Sequence, residues 1–155
     1  MSKKSIKLTF PEGKVSFSAE LMFDEEPEMC SLLWKNLEKP VKYFCHHTLS
    51  SGQVFLGYPR PPKKRLKTGL QSKPIGRNIL KTTQMSPGMI QYTGLFFRMS
   101  YGQNLTEPVQ CAGPVIANVK EEEMDNIKKA GELVWRREAL EHKMTTFIVE
   151  RKENK

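Results

Sequence analysis

Ile6, Leu8 and Phe10 alternate with Lys7 and Thr9, a turn follows over Pro11-Glu12-Gly13-Lys14, and Val15, Phe17, Ala19 and Leu21 then alternate with Ser16, Ser18 and Glu20. A period of two on both sides of a turn buries one face only if the two segments run as antiparallel strands. The chain therefore starts with a β-hairpin whose apolar face, extended by Phe23, needs a partner sheet. Further strands are expected over 41–45 and 53–56, joined near Ser50-Ser51-Gly52, and over 78–83, 89–92 and 95–101, with Ser86-Pro87-Gly88, Gly94 and Gly102 as punctuation. A short apolar piece at 115–118 and an alternating segment through Thr145, Phe147 and Val149 complete the set.

Two helices interrupt this pattern. Asp24-Glu25-Glu26-Pro27 places carboxylates and a proline where a helix begins, and Met29, Leu32, Leu33 and Leu37 recur at helical spacing before Pro40. Asn118 with Glu121 three residues later resembles a helix cap with its reciprocal carboxylate, and Met124, Ile127, Gly131 and Val134 then line one face, with Trp135 beside them. Gly131 costs about 1 kcal/mol relative to alanine in a helix interior, which points to close packing there. Eight or nine strands to two helices predict a mainly β protein, a small closed antiparallel barrel whose ends the helices cover.

The 155 residues suit a single domain over 1–155, and no stretch approaches the roughly 20 apolar residues of a membrane span. Met1-Ser2-Lys3-Lys4-Ser5 leads into too short and polar a segment for a secretory signal, so a cytoplasmic address without a membrane partner is expected. Cys30, Cys45 and Cys111 are an odd number at wide spacing, which suits buried thiols better than a disulfide framework or a four-ligand zinc site.

Charge is concentrated in the middle of the chain. Residues 1–38 hold 5 basic and 7 acidic groups, residues 39–106 hold 11 and none, and residues 107–155 hold 9 and 10. Arg60, Lys63, Lys64, Arg65, Lys67, Lys73, Arg77 and Lys81 fall among Pro59, Pro61, Pro62, Gly69, Pro74 and Gly76, so a basic loop is expected at about 58–77. It reads either as a phosphate-attracting footprint or as a solvated flap, and Tyr58 is the aromatic residue close by.

Several side chains qualify for chemistry. Cys45, His46 and His47 have the atoms of a zinc site, but on a strand Cys45 and His47 share one face and His46 takes the other, so no metal is expected. Cys111 in Gln110-Cys111-Ala112-Gly113 has the form of a nucleophile with backbone donors nearby, without an identifiable base. Glu107 is the first acidic residue after 68 without one. Arg77, Gln91, Tyr92, Arg98, Tyr101 and Glu107 form the candidate ligand-binding set, with Arg98 as the clamp for a carboxylate or phosphate if they converge on one concave pocket.

The segment from Gly13 to Trp34, GKVSFSAELMFDEEPEMCSLLW, resembles the opening of cyclophilins, which run strand, Glu-Leu, acidic turn, Pro, helix. Pro87-Gly88-Met89-Ile90-Gln91-Tyr92, Tyr101-Gly102 and the stretch from Gly131 through Val149 are similar to a bacterial group of cyclophilin-like domains of unknown function. The resemblance implies a cyclophilin-like barrel. Cyclophilins isomerise prolyl bonds with a Phe-His-Arg stretch and a Ser-Gln-Phe-Phe stretch; here Tyr43-Phe44-Cys45-His46-His47-Thr48 lacks the arginine, and Phe96-Phe97 follows Gly94-Leu95. Prolyl isomerase activity is therefore not expected, and no catalytic residue is assigned. The expected function is binding of a small anionic or amide-containing molecule, without a cofactor, or service as an accessory partner of an enzyme. The alternatives are an enzyme built on a buried Cys–His or Glu–His pair, an isomerase-like enzyme, and a nucleic-acid binder acting through the basic loop. Met85, Met89 and Met99 add a homodimer surface to the options.

Overall fold

A computed structural model describes residues 3–59, 80–106 and 113–153. Eight strands form one closed antiparallel barrel: β1 (Lys4–Phe10), β2 (Val15–Leu21), β3 (Val41–His47), β4 (Gly52–Pro59), β5 (Met89–Tyr92), β6 (Phe97–Leu105), β7 (Val115–Val119) and β8 (Thr146–Glu153). Around the barrel the order is β1-β2-β7-β5-β6-β4-β3-β8, closed by the β1–β8 pairing. The expected hairpin is present, with Leu8 opposite Phe17 and Ile6 opposite Ala19. Closure leaves no unpaired sheet edge.

Alternation fills the interior with aromatic rings. Phe10 stacks on Phe17 and Phe147, Tyr43 on Phe147, and Phe97 meets Tyr43 and Tyr92 at 4.9 and 4.8 Å between centroids. Among the described residues these rings belong to one packed core that fills the middle of the barrel.

The helices α1 (Pro27–Asn36) and α2 (Met124–Trp135) sit near opposite ends of β5. Gly88, before β5, lies against Met124 of α2, and Gly94, after it, lies against Leu32 of α1. Gly131 has the close contact its cost implies: a Cβ there would stand 2.2 Å from the Tyr101 ring, so only glycine lets α2 seat on β6.

Several local expectations are corrected. Asn118 does not cap α2, because its backbone is committed to β7 between Glu20 and Met89; a single 3-10 turn, Glu121–Glu123, precedes the helix instead. Glu123 accepts a hydrogen bond from the Ser18 backbone N–H at 3.1 Å, fastening that turn to β2. On α1, Leu32 is 40% exposed while Cys30 is buried, so the core face runs through Met29, Cys30 and Leu33 to Leu37. The expected strand over 78–83 is instead, from Leu80 on, an isolated bridge at Lys81 and a 3-10 turn, Thr82–Gln84; 78 and 79 lie outside the described residues. β6 starts at Phe97, and Gly102 does not close it, since the strand runs on to Leu105. Tyr58 and Pro59 belong to β4, and the rest of the basic segment up to 79 lies outside the described residues.

Candidate functional site

Two polar groupings stand out on the barrel. The first is on its outer face. Ile90 and Tyr92 of β5, and Phe97, Met99 and Tyr101 of β6, point inward, so Gln91 and Arg98 point outward, directly opposite one another across the strand pair. Leu56 of β4 flanks Arg98 on the other side. Outward residues are ordinarily wet, but Gln91 is fully buried and Arg98 is 6% exposed. The cover is the segment after Leu80: the Arg98 guanidinium donates to the Thr82 hydroxyl and lies 3.6 Å from Met85 Sδ. Gln91 Nε2 donates to the Leu80 carbonyl at 3.1 Å, and its other amide atom, Oε1, is buried without a hydrogen-bond donor among the described residues. A buried acceptor left unsatisfied costs about 1–3 kcal/mol, and such sites call for an explanation.

Of the candidate ligand-binding set, the structure brings Gln91 and Arg98 together. Tyr92 and Tyr101 lie on the opposite face of the same strands, inside the barrel and four positions apart in the β6 register, where Tyr92 pairs with Phe97. Tyr92 accepts a hydrogen bond from Asn36 at 3.1 Å and donates to the Gly94 carbonyl at 3.1 Å, near α1. The two tyrosines thus do not converge with Arg98 on one pocket. Arg77, Glu107 and Cys111 lie outside the described residues. A concavity of about 720 Å³ lies elsewhere, between Lys3–Lys4, the Glu20–Glu25 stretch and Asn118–Lys120.

The second grouping surrounds His47. Its side chain is inward with Cys45, and His46 is outward, as strand alternation requires. His47 Nδ1 lies 2.7 Å from the Thr48 carbonyl, which can only accept, so Nδ1 carries the hydrogen. Nε2 then has the lone pair and accepts from the Tyr101 hydroxyl at 2.7 Å. The Trp135 ring meets the imidazole edge to face with centroids 4.9 Å apart, and Glu138, on the π-helical turn Arg136–Leu140 that extends α2, accepts from the His47 backbone N–H at 2.9 Å and pairs with His46 Nδ1 at 3.0 Å. Burial lowers the His47 pKa from its ordinary 6.5 and pushes the Tyr101 hydroxyl up to about 12. Tyr101 belongs to the candidate ligand set by its sequence context, but its bond to His47 is not legible there, because the two are 54 residues apart and no local pattern joins them.

The Glu–His pair that the described residues contain, Glu138–His46, is half-exposed, and Cys45 has no histidine bonded to it. Among the described residues no group of three His, Cys, Asp or Glu side chains could hold a metal ion. Burial raises the thiol pKa values of Cys30, to about 12, and of Cys45. Both should resist alkylation by a soluble maleimide in the folded protein at about pH 7.5 and label fully in denaturant, as read by peptide mapping. Labelling of Cys45 in the folded state would contradict its placement inside the barrel.

No family model matches the sequence, and no curated protein matches it. Solved structures of other proteins share the fold, McbB and AF2241 among them. The structure of McbB in complex with tryptophan superimposes with a TM-score of 0.78 at 21% identity over 95% of this chain. The chain spans 44% of the length of that McbB chain. The solution structure of the hypothetical protein AF2241 from Archaeoglobus fulgidus superimposes with a TM-score of 0.59 at 12% identity, covering 97% of this chain and 95% of that one. At these identities the likeness carries the barrel architecture alone. No helix among the described residues is long and apolar enough to cross a membrane.

Proposed function

We propose that the chain is a ligand-binding relative of the cyclophilins without prolyl isomerase activity, and that it holds a small anionic or amide-containing molecule at Gln91 and Arg98. The observation that carries this reading is the pairing of a buried guanidinium with a buried amide oxygen that lacks a donor among the described residues. A carboxylate suits Arg98 as a charge-assisted acceptor, and an ammonium or amide N–H on the same molecule suits Gln91 Oε1. An amino acid carries both groups a few ångströms apart, whereas its amide offers N–H groups to Gln91 and only a neutral carbonyl to Arg98. From outside the chain, a protein of this fold solved in complex with tryptophan supports the reading. A ligand at this position displaces part of the Thr82–Met85 cover and exchanges those contacts for its own.

Isothermal titration with L-tryptophan, L-tryptophanamide, tryptamine and indole tests the reading. The carboxylate compound should bind most tightly, tryptamine at least about tenfold more weakly, and indole not at all. Arg98→Met should abolish the preference for the carboxylate, and Gln91→Met should weaken all three amino compounds. Equal binding of tryptamine and tryptophan, or a preference unaltered in Arg98→Met, would remove Arg98 as the clamp.

A further inference from the structure

The segment that covers the Gln91–Arg98 site makes, with its own atoms, the contacts a ligand would make there. The Leu80 carbonyl accepts from Gln91 Nε2 at 3.1 Å, as a ligand carbonyl or carboxylate oxygen would. The Thr82 hydroxyl accepts from the Arg98 guanidinium, and Met85 Sδ lies 3.6 Å from it, in the place a ligand carboxylate would take. All three stand-ins are neutral. A hydroxyl and a thioether are weaker partners for a guanidinium than a carboxylate, whose charge-assisted hydrogen bonds are roughly twice as strong. A carboxylate can therefore displace the segment, yet every ligand must first open it.

The build of the segment suits movement as one piece. Its 3-10 turn is closed within itself: the Lys81 N–H donates to Gln84 Oε1 at 2.9 Å, the Gln84 N–H to the Lys81 carbonyl at 2.9 Å, and the Met85 N–H to the Thr82 carbonyl at 3.1 Å. None of these bonds needs the barrel. The chain is pinned just beyond, where Ser100 Oγ donates to the Ser86 carbonyl and the Gly88 N–H donates to the Ser100 carbonyl at 2.8 Å. Gly88, with a φ of 88°, completes a turn closed by the Met89 N–H on the Ser86 carbonyl, so residues 86–88 form a fixed pivot. Met85 is buried but lies outside the cluster that fills the barrel. Lifting the segment thus leaves the interior packing whole, which makes opening a local motion and not an unfolding.

We infer that the segment Leu80–Met85 is an autoinhibitory strap, which occupies the Gln91–Arg98 site in place of a ligand and divides the protein between a closed form and an open, binding-competent one. This rests on the ligand site proposed above. The apparent affinity is then that of the open form reduced by the fraction open. Weakening the strap raises that fraction by one factor, the same for every ligand.

Two variants test the strap. Thr82→Val keeps the side-chain shape and removes an acceptor for Arg98, and Gln84→Ala, at an exposed position, removes a bond that closes the turn. Isothermal titration should find L-tryptophan bound about tenfold more tightly by Thr82→Val and about threefold more tightly by Gln84→Ala, with tryptamine gaining the same factor in each. In the ligand-free proteins, amide hydrogen exchange at positions 84 and 85, read by NMR, should be faster than in the parent, while the amides of β6 keep the parental rates. Variants that bind no more tightly than the parent, a gain for tryptophan that tryptamine does not share, or unaltered exchange at both positions would overturn the strap. The site would then stand or fall separately, on whether Arg98→Met loses the preference for the carboxylate. No binding of either compound to the parent or the variants would remove the site and the strap together.

Discussion

Phe97→Ala is expected to destabilise the barrel by about 3–5 kcal/mol, a large share of the roughly 5–15 kcal/mol that holds a domain folded. The ring has no exposed surface and joins three others, Tyr43, Tyr92 and Phe147, so truncation leaves a cavity that rigid strands on every side cannot collapse to fill. The neighbouring change, Phe96→Ala, should cost about 1 kcal/mol or less, because that ring is half-buried on the outer face and loses only its stack on Tyr58. Urea denaturation of the two variants side by side checks the contrast. Similar losses for both would mean that the strand phase assigned to residues 96 and 97 is wrong, and with it the outward aim of Arg98.

That pair of phenylalanines shows what the sequence makes legible and what it hides. The alternation of Ile6, Leu8 and Phe10 with Phe17, Ala19 and Leu21 predicts a hairpin with an inward face, and the structure has it in that register. Covalent neighbours encode that pattern. The same rule puts Cys45 and His47 on one face and His46 on the other. Whether an outward position is wet depends on what comes to lie over it, which period two does not record. Gln91 and Arg98 sit in a polar phase, yet the Leu80–Met85 segment buries them. Tyr92 and Tyr101 read as polar site residues from their hydroxyls, yet their rings complete the interior. Asn118 and Glu121 match a capping signature, but Asn118 is held by a ladder on both sides, and the tertiary pairing overrides the local one. The cost of Gly131 is visible in the chain; its cause, the Tyr101 ring, is 30 positions away and visible only in three dimensions.

His47 is expected to make the fold lose stability as the pH drops below about 6.5. Both ring nitrogens serve the neutral form, Nδ1–H donating to Thr48 and Nε2 accepting from Tyr101. Protonation would charge an imidazole walled in by Tyr101 and Trp135 and set a second donor against the tyrosine hydroxyl. Of the groups around it, burial and His46 lower the His47 pKa, while the Thr48 carbonyl and Glu138 raise it; burial is the largest effect and the folded value lies below 6.5. Between the two values the unfolded chain binds a proton that the folded chain does not. The stabilisation is therefore whole above the unfolded pKa and is lost as pH falls toward the folded one, with a slope of at most about 1.4 kcal/mol per pH unit. Chemical denaturation between about pH 5.5 and about pH 8 should show this slope in the parent and not in His47→Gln. Tyr101→Phe should cost about 1–3 kcal/mol at the upper end, since Nε2 is left without its donor, and should flatten the slope because the neutral imidazole loses the bond that favours it. If the parent and His47→Gln curves run parallel across the range, His47 holds its proton in the fold as readily as in the unfolded chain, and the hydrogen-bond directions assigned to the Tyr101–His47 pair are reversed.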